Sequence, residues 1–86
     1  MNQEQIFEQV RQVMARTFGV NEEVIVSATR AEEIERWDSL THLIVLTGIE
    51  RRMNVKLPTD EAYAAQNVGE LVALVKRTLD KQGARG

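Results

Sequence analysis

Three stretches of this 86-residue chain repeat apolar side chains at intervals of three and four, and no stretch alternates with a period of two. That periodicity is the stripe of an amphipathic helix, and it leaves no pattern from which a sheet could be built. Residues 2–18 carry it on Ile6, Phe7, Val10, Val13, Met14, Thr17 and Phe18. Asn2 with Gln5 forms a capping box at the start, and Gly19 provides a left-handed stop. Residues 39–53 carry it on Leu40, Leu43, Leu46, Ile49 and Met53, with Asp38 as N-cap, Asn54 as closing residue and Gly48 as a point of close packing or tolerance. The third stretch opens with Asn67-Val68-Gly69-Glu70, a further capping box, and continues through Leu71, Val72, Val75 and Leu79, with Lys76, Arg77 and Lys81 toward the end that favours cations. A short helix over residues 60–66, capped by Thr59, follows the single proline, Pro58. The expectation is an all-α, small four-helix bundle: three longer helices, one short one, and a long loop between the first two.

That loop, residues 20–38, has no sustained period; Val24, Ile25 and Ile34 are its expected inward anchors. A connection of this length in so small a domain is unusual and points to a functional role. Eighty-six residues make one domain, expected over 1–81 with a frayed tail at 82–86. A chain this short buries a limited core and has little room for a deep catalytic pocket.

Composition removes several classes of function. At 43% hydrophobic and 28% charged the chain reads as globular. No basic stripe with interleaved aromatics is present, so nucleic acid is not an expected partner. No apolar run approaches a membrane span, and the polar start MNQEQ is unlike a signal peptide, so a cytoplasmic monomer away from membranes is the default expectation. Cysteine is absent, which excludes disulfides and thiolate metal sites; no metal is expected. Charge is unevenly spread. Residues 20–39 hold six acids against Arg30 and Arg36, a net −4; residues 40–58 hold Glu50 against Arg51, Arg52 and Lys56, a net +2.

Chemistry concentrates in Arg36-Trp37-Asp38-Ser39-Leu40-Thr41-His42-Leu43. Ser39 admits three readings. It is a capping residue beside Asp38; or a nucleophile, with His42 one turn on and Asp38 adjacent; or an attachment point for a group the chain lacks. Asp38 is committed to the helix start, no glycine-rich oxyanion loop is present, and His42 reads as a solvent-facing helix residue, all of which weigh against a hydrolase. A hydroxyl at a helix N-terminus suits an esterified anion, which the free N–H groups and the dipole would stabilise.

Asp38-Ser39-Leu40 at the head of an apolar-striped helix resembles the site of acyl and peptidyl carrier proteins. The resemblance extends over nearly the whole chain, through Phe18-Gly19-Val20, Asn54-Val55-Lys56-Leu57-Pro58 and Asn67-Val68-Gly69-Glu70-Leu71. It implies a carrier, not an enzyme, with 4'-phosphopantetheine from coenzyme A on Ser39 and acyl or aminoacyl groups held as thioesters. Asp38 would cap the helix and help a phosphopantetheinyl transferase recognise the site, and Leu40 would touch partners beside the arm. The helix 39–53 would dock a loading ligase or transferase and downstream synthases, through Thr41, His42, Ile44 and Arg51. Carriers of primary fatty-acid synthesis have a strongly acidic docking helix and often a small or aliphatic residue where Trp37 stands. In the helix 39–53 of this chain Glu50 is the only acid after Asp38, and Trp37 is expected to anchor the loop. These departures imply a specialised polyketide, nonribosomal-peptide or other dedicated acyl pathway. An unmodified interaction module of the same fold is the alternative.

Overall fold

The computed structural model describes residues 1–84, and four α-helices run through them: α1 (Gln3–Phe18), α2 (Ser39–Met53), α3 (Thr59–Ala64) and α4 (Val68–Ala84). The ends form where local chemistry dictates. Asn2 and Gln5 exchange their capping-box bonds at 2.8 and 2.9 Å. Gly19 stops α1 at φ 69°, and Asn54 stops α2 at φ 52°, the left-handed geometry that glycine and asparagine tolerate best. Asn67 accepts from the Glu70 N–H at the head of α4, while the Glu70 carboxylate reaches back one residue further than expected, to the N–H of Gln66. Thr59 does not cap α3: Pro58 occupies the cap position without a side-chain bond, so the helix starts one residue earlier than its expected span. Of the expected tail at 82–86, the first three residues continue α4, and Arg85 and Gly86 lie outside the described residues.

Helices α1 and α2 pack antiparallel. Arg52 bonds Gln12 at one end, Gly48 faces Val13 midway, and Phe18 meets Trp37 just before α2 begins. A Cβ on Gly48 would come within 2.8 Å of Val13 Cγ1, so glycine here marks a close approach of the two helices, and a larger residue would have to displace Val13. The core is assembled from Ile6, Val10, Met14 and Phe18 of α1, Val45, Leu46 and Ile49 of α2, and Val68, Leu71, Val72, Leu74 and Val75 of α4. Burying each of these side chains contributes about 1.5–3 kcal/mol.

The long loop is tied down at several points. Two 3₁₀ turns, Glu22–Val24 and Ala31–Glu33, punctuate it. Ile25, Ile34 and Trp37 are buried, but Val24, expected to point inward, is more than half exposed because the first turn places Ile25 on the core side instead. Arg11 of α1 donates to the Ile25 carbonyl at 3.0 Å, and the N–H groups of Val68 and Gly69 donate to Thr29 and Ser27 at 3.0 and 2.8 Å. The loop therefore delivers its last residues, Arg36–Asp38, to a fixed place at the head of α2.

Candidate functional site

The inward face of α2 differs from the stripe expected of it. His42, Val45, Leu46 and Ile49 are buried, whereas Leu40 is 68% exposed and Leu43 47%. Positions 42, 45, 46 and 49 keep the helical spacing, so the face is rotated from the expected one and a histidine takes what the apolar count assigned to leucine. His42, expected as a solvent-facing and partner-docking residue, is only 7% exposed, and that expectation is corrected.

A hydrogen-bonded relay makes its burial possible. The Trp37 indole N–H donates to His42 Nδ1 at 2.9 Å, and His42 Nε2 lies 2.9 Å from the Ala62 carbonyl. An indole nitrogen can only donate, so Nδ1 is the acceptor and the ring proton sits on Nε2, donated to Ala62. Neutral His42 thus joins the loop, α2 and α3 through one side chain. The Trp37 and His42 rings meet edge to edge and nearly coplanar, with centroids 6.0 Å apart and planes 18° apart, and Phe18 packs against Trp37 with centroids 5.5 Å apart. The expected anchoring role of Trp37 is what the structure shows.

At the head of α2, Asp38 accepts from the N–H groups of Leu40 and Thr41, both at 3.0 Å, and its own N–H donates to Thr41 Oγ1 at 2.8 Å. The Thr41 hydroxyl donates in turn to the Arg36 carbonyl. Thr41, expected among the outward contacts, is half-buried and serves the cap. The Thr41 N–H above all, then that of Leu40, holds the Asp38 carboxyl below the usual carboxylate range.

Ser39 stands in the first turn, exposed, with capping already performed by its neighbours. Its hydroxyl is not needed to close the helix, and His42 cannot act as its base because both ring nitrogens face other partners. The miniature triad therefore does not assemble. An open groove of about 300 Å³ runs beside Ser39, bounded by Trp37, His42, Tyr63, Ala31 and Ala65. Leu40 lies exposed beside Ser39, and Ile44 and Arg51 are also on the outer side of α2.

A phosphopantetheine group would fit this arrangement: a free hydroxyl, an accessible first turn and a helix N-terminus favourable to the phosphate. Comparison with known proteins points to the same group. Residues 8–75 match the family described as "Phosphopantetheine attachment site". The fold is similar to the solution NMR structure of holo acyl carrier protein from Geobacter metallireducens, with a TM-score of 0.80 and 25% identity over 93% of this chain and 92% of that one. Such proteins carry covalent 4'-phosphopantetheine and are carriers rather than enzymes, working through transferases and synthases. With its fold and four fifths of its length in agreement, the chain belongs to the phosphopantetheine-attachment family, the acyl carrier proteins.

Proposed function

We propose that Ser39 is the attachment residue and that the chain shuttles thioester-linked acyl or aminoacyl intermediates between the enzymes of a specialised, cytoplasmic pathway. The observation that carries this reading is the division of labour at the head of α2. Asp38 and Thr41 complete the cap, and Ser39, between them, is left exposed with an uncommitted hydroxyl. The chain offers Ser39 no base, so a phosphopantetheinyl transferase must supply one. The Ser39 Oγ–P bond forms, the pyrophosphate P–O bond of coenzyme A breaks, 3',5'-adenosine diphosphate departs, and the hydroxyl proton passes to the transferase. Once attached, the arm's terminal thiol supplies the thioester chemistry that a cysteine-free chain lacks.

The chain's own residues orient and present. Asp38 and Thr41 hold the first turn rigid, and the Trp37–His42–Ala62 relay fixes that turn against α3. Exposed Leu40 and Ile44 offer apolar contact to a docking transferase or synthase, and Arg51 offers charge. Tethering confines the intermediate near each partner and so raises its effective concentration. Support for a specialised pathway comes from the outer side of α2, which presents no free acid. Glu50, the only acid within α2, is turned aside to accept from the Leu57 N–H at 2.9 Å.

Intact-mass spectrometry after incubation with coenzyme A and a broad-specificity transferase tests the assignment. Wild type should gain one phosphopantetheine and Ser39→Ala none. No gain with any competent transferase would leave an unmodified interaction module.

A further inference from the structure

The groove between α1 and α2, on the side away from α3, is lined by Val13, Arg16, Ile44, Gly48, Arg51 and Arg52, and encloses about 510 Å³. Ile44, 49% exposed, sits among three arginines. The ion pairs of the described residues use Arg11, Arg30, Lys76 and Arg77, and none uses Arg16, Arg51 or Arg52. Arg52 is steadied by Gln12, a neutral partner that leaves its charge uncompensated. Acids are withdrawn from the groove: Glu50 bonds the Leu57 N–H on the far side of α2, and Glu8 pairs with Arg11, which faces the loop. Helix dipoles favour a cation in each last turn. They do not explain why cations from two antiparallel helices, α1 ending at one end and α2 at the other, line the same groove around an exposed isoleucine.

The geometry points to this groove as a docking surface for a partner protein that presents an apolar side chain flanked by carboxylates. The inference rests on the carrier reading and adds to it the chemistry of the partner. Guanidinium groups match carboxylates in a two-pronged geometry, and complementary charge sets which partners associate and how fast. Ile44 is the apolar centre and the arginines the charged rim, the usual layout of a protein contact. A second copy of the chain could offer only Glu22 and Glu23 beside Val24, the other acids near its exposed valines being engaged or remote, so self-association is kept as an outcome of the test that would overturn the proposal. Asp38 caps α2, Glu33 accepts from the Arg30 N–H, and Glu32 pairs with the Arg30 side chain.

The test uses the unmodified full chain and two labelled helical peptides, each with a central leucine, flanked one turn away by glutamates in one and by lysines in the other. Amide NMR shifts and fluorescence anisotropy are read together. The glutamate peptide should bind, with shifts centred on Thr17, Ile44, Gly48 and Arg51, and should weaken steadily as salt rises. Arg16→Glu with Arg51→Glu should weaken it about tenfold or more. Arg16→Gln with Arg51→Gln should weaken it less, and all variants should keep a folded spectrum. The proposal is overturned if the lysine peptide binds equally, if the shifts fall elsewhere, or if charge reversal changes nothing. It is also overturned if phosphatidylglycerol vesicles alone bind with the same arginine dependence, or if the wild type self-associates through these arginines. Peptide binding needs no phosphopantetheine, so this result stands apart from whether Ser39 is modified.

Discussion

The two faces of α2 are made of similar residues and do different things. Inward, His42, Val45, Leu46 and Ile49 are buried; outward, Leu40, Ile44, Thr47 and Arg51 are exposed. Each face mixes aliphatic side chains with a polar or cationic one. What separates them is pairing: the inward histidine has both ring nitrogens satisfied, by Trp37 and Ala62, while the outward cations have no ionic partner among the described residues. A polar group that completes its bonds inside the fold becomes structure, and one that does not is left for something outside it.

Trp37→Ala attacks the inward side hardest. It removes the ring between Phe18 and His42 and strands His42 Nδ1, at a cost of about 3–5 kcal/mol. In a domain of this size that lowers Tm by more than roughly 12 °C in calorimetry. His42→Leu keeps the volume but leaves the indole N–H buried without an acceptor, about 1–3 kcal/mol. If His42→Leu were neutral, the relay would not be what makes a buried histidine tolerable.

Gly48→Ala probes the seam between α1 and α2. Its collision with Val13 costs about 1–3 kcal/mol, against about 1 kcal/mol gained in helix propensity, so a net loss of up to about 2 kcal/mol is expected in chemical denaturation. In a Val13→Ala background the same change should be neutral or stabilising. Ile44→Glu on the outer face should move stability by no more than about 0.5 kcal/mol while slowing loading by the dedicated ligase. A large fall in Tm would place Ile44 in the core.

The smallest effect is the pH dependence of the cap. The Asp38 carboxyl is held below its unfolded value, so its contribution is fully present above about pH 4 and is lost as pH falls through the depressed folded value. Asp38→Asn should flatten that part of the acid limb of the stability curve. An identical acid limb in both proteins would remove Asp38 from the account.

Helix ends were legible in the chain because caps are local. Asn2 with Gln5, Gly19, Asp38, Asn54 and Asn67 each act within a few residues. Asp38-Ser39-Leu40 was legible for the same reason. The orientation of α2 was not, because an apolar count treats His42 as polar, whereas its burial depends on a tryptophan five residues before it and a carbonyl twenty residues after it. With leucine or isoleucine on both faces, the stripe alone had no means of choosing. The arginine groove was half visible, as a net charge over residues 40–58. Neither the contribution of Arg16 from α1 nor the inward turn of Glu50 can be read from spacing, since both depend on how helices meet.

On the proposed function, Ser39 alone carries the arm. The chain has one other serine, Ser27, also exposed, in the loop that leads toward α2. Tandem mass spectrometry of proteolytic fragments from the transferase-treated chain separates the two. Phosphopantetheine is expected on the fragment holding Ser39, with the Ser27 fragment at its unmodified mass. Modification at Ser27, or at both residues, would contradict it.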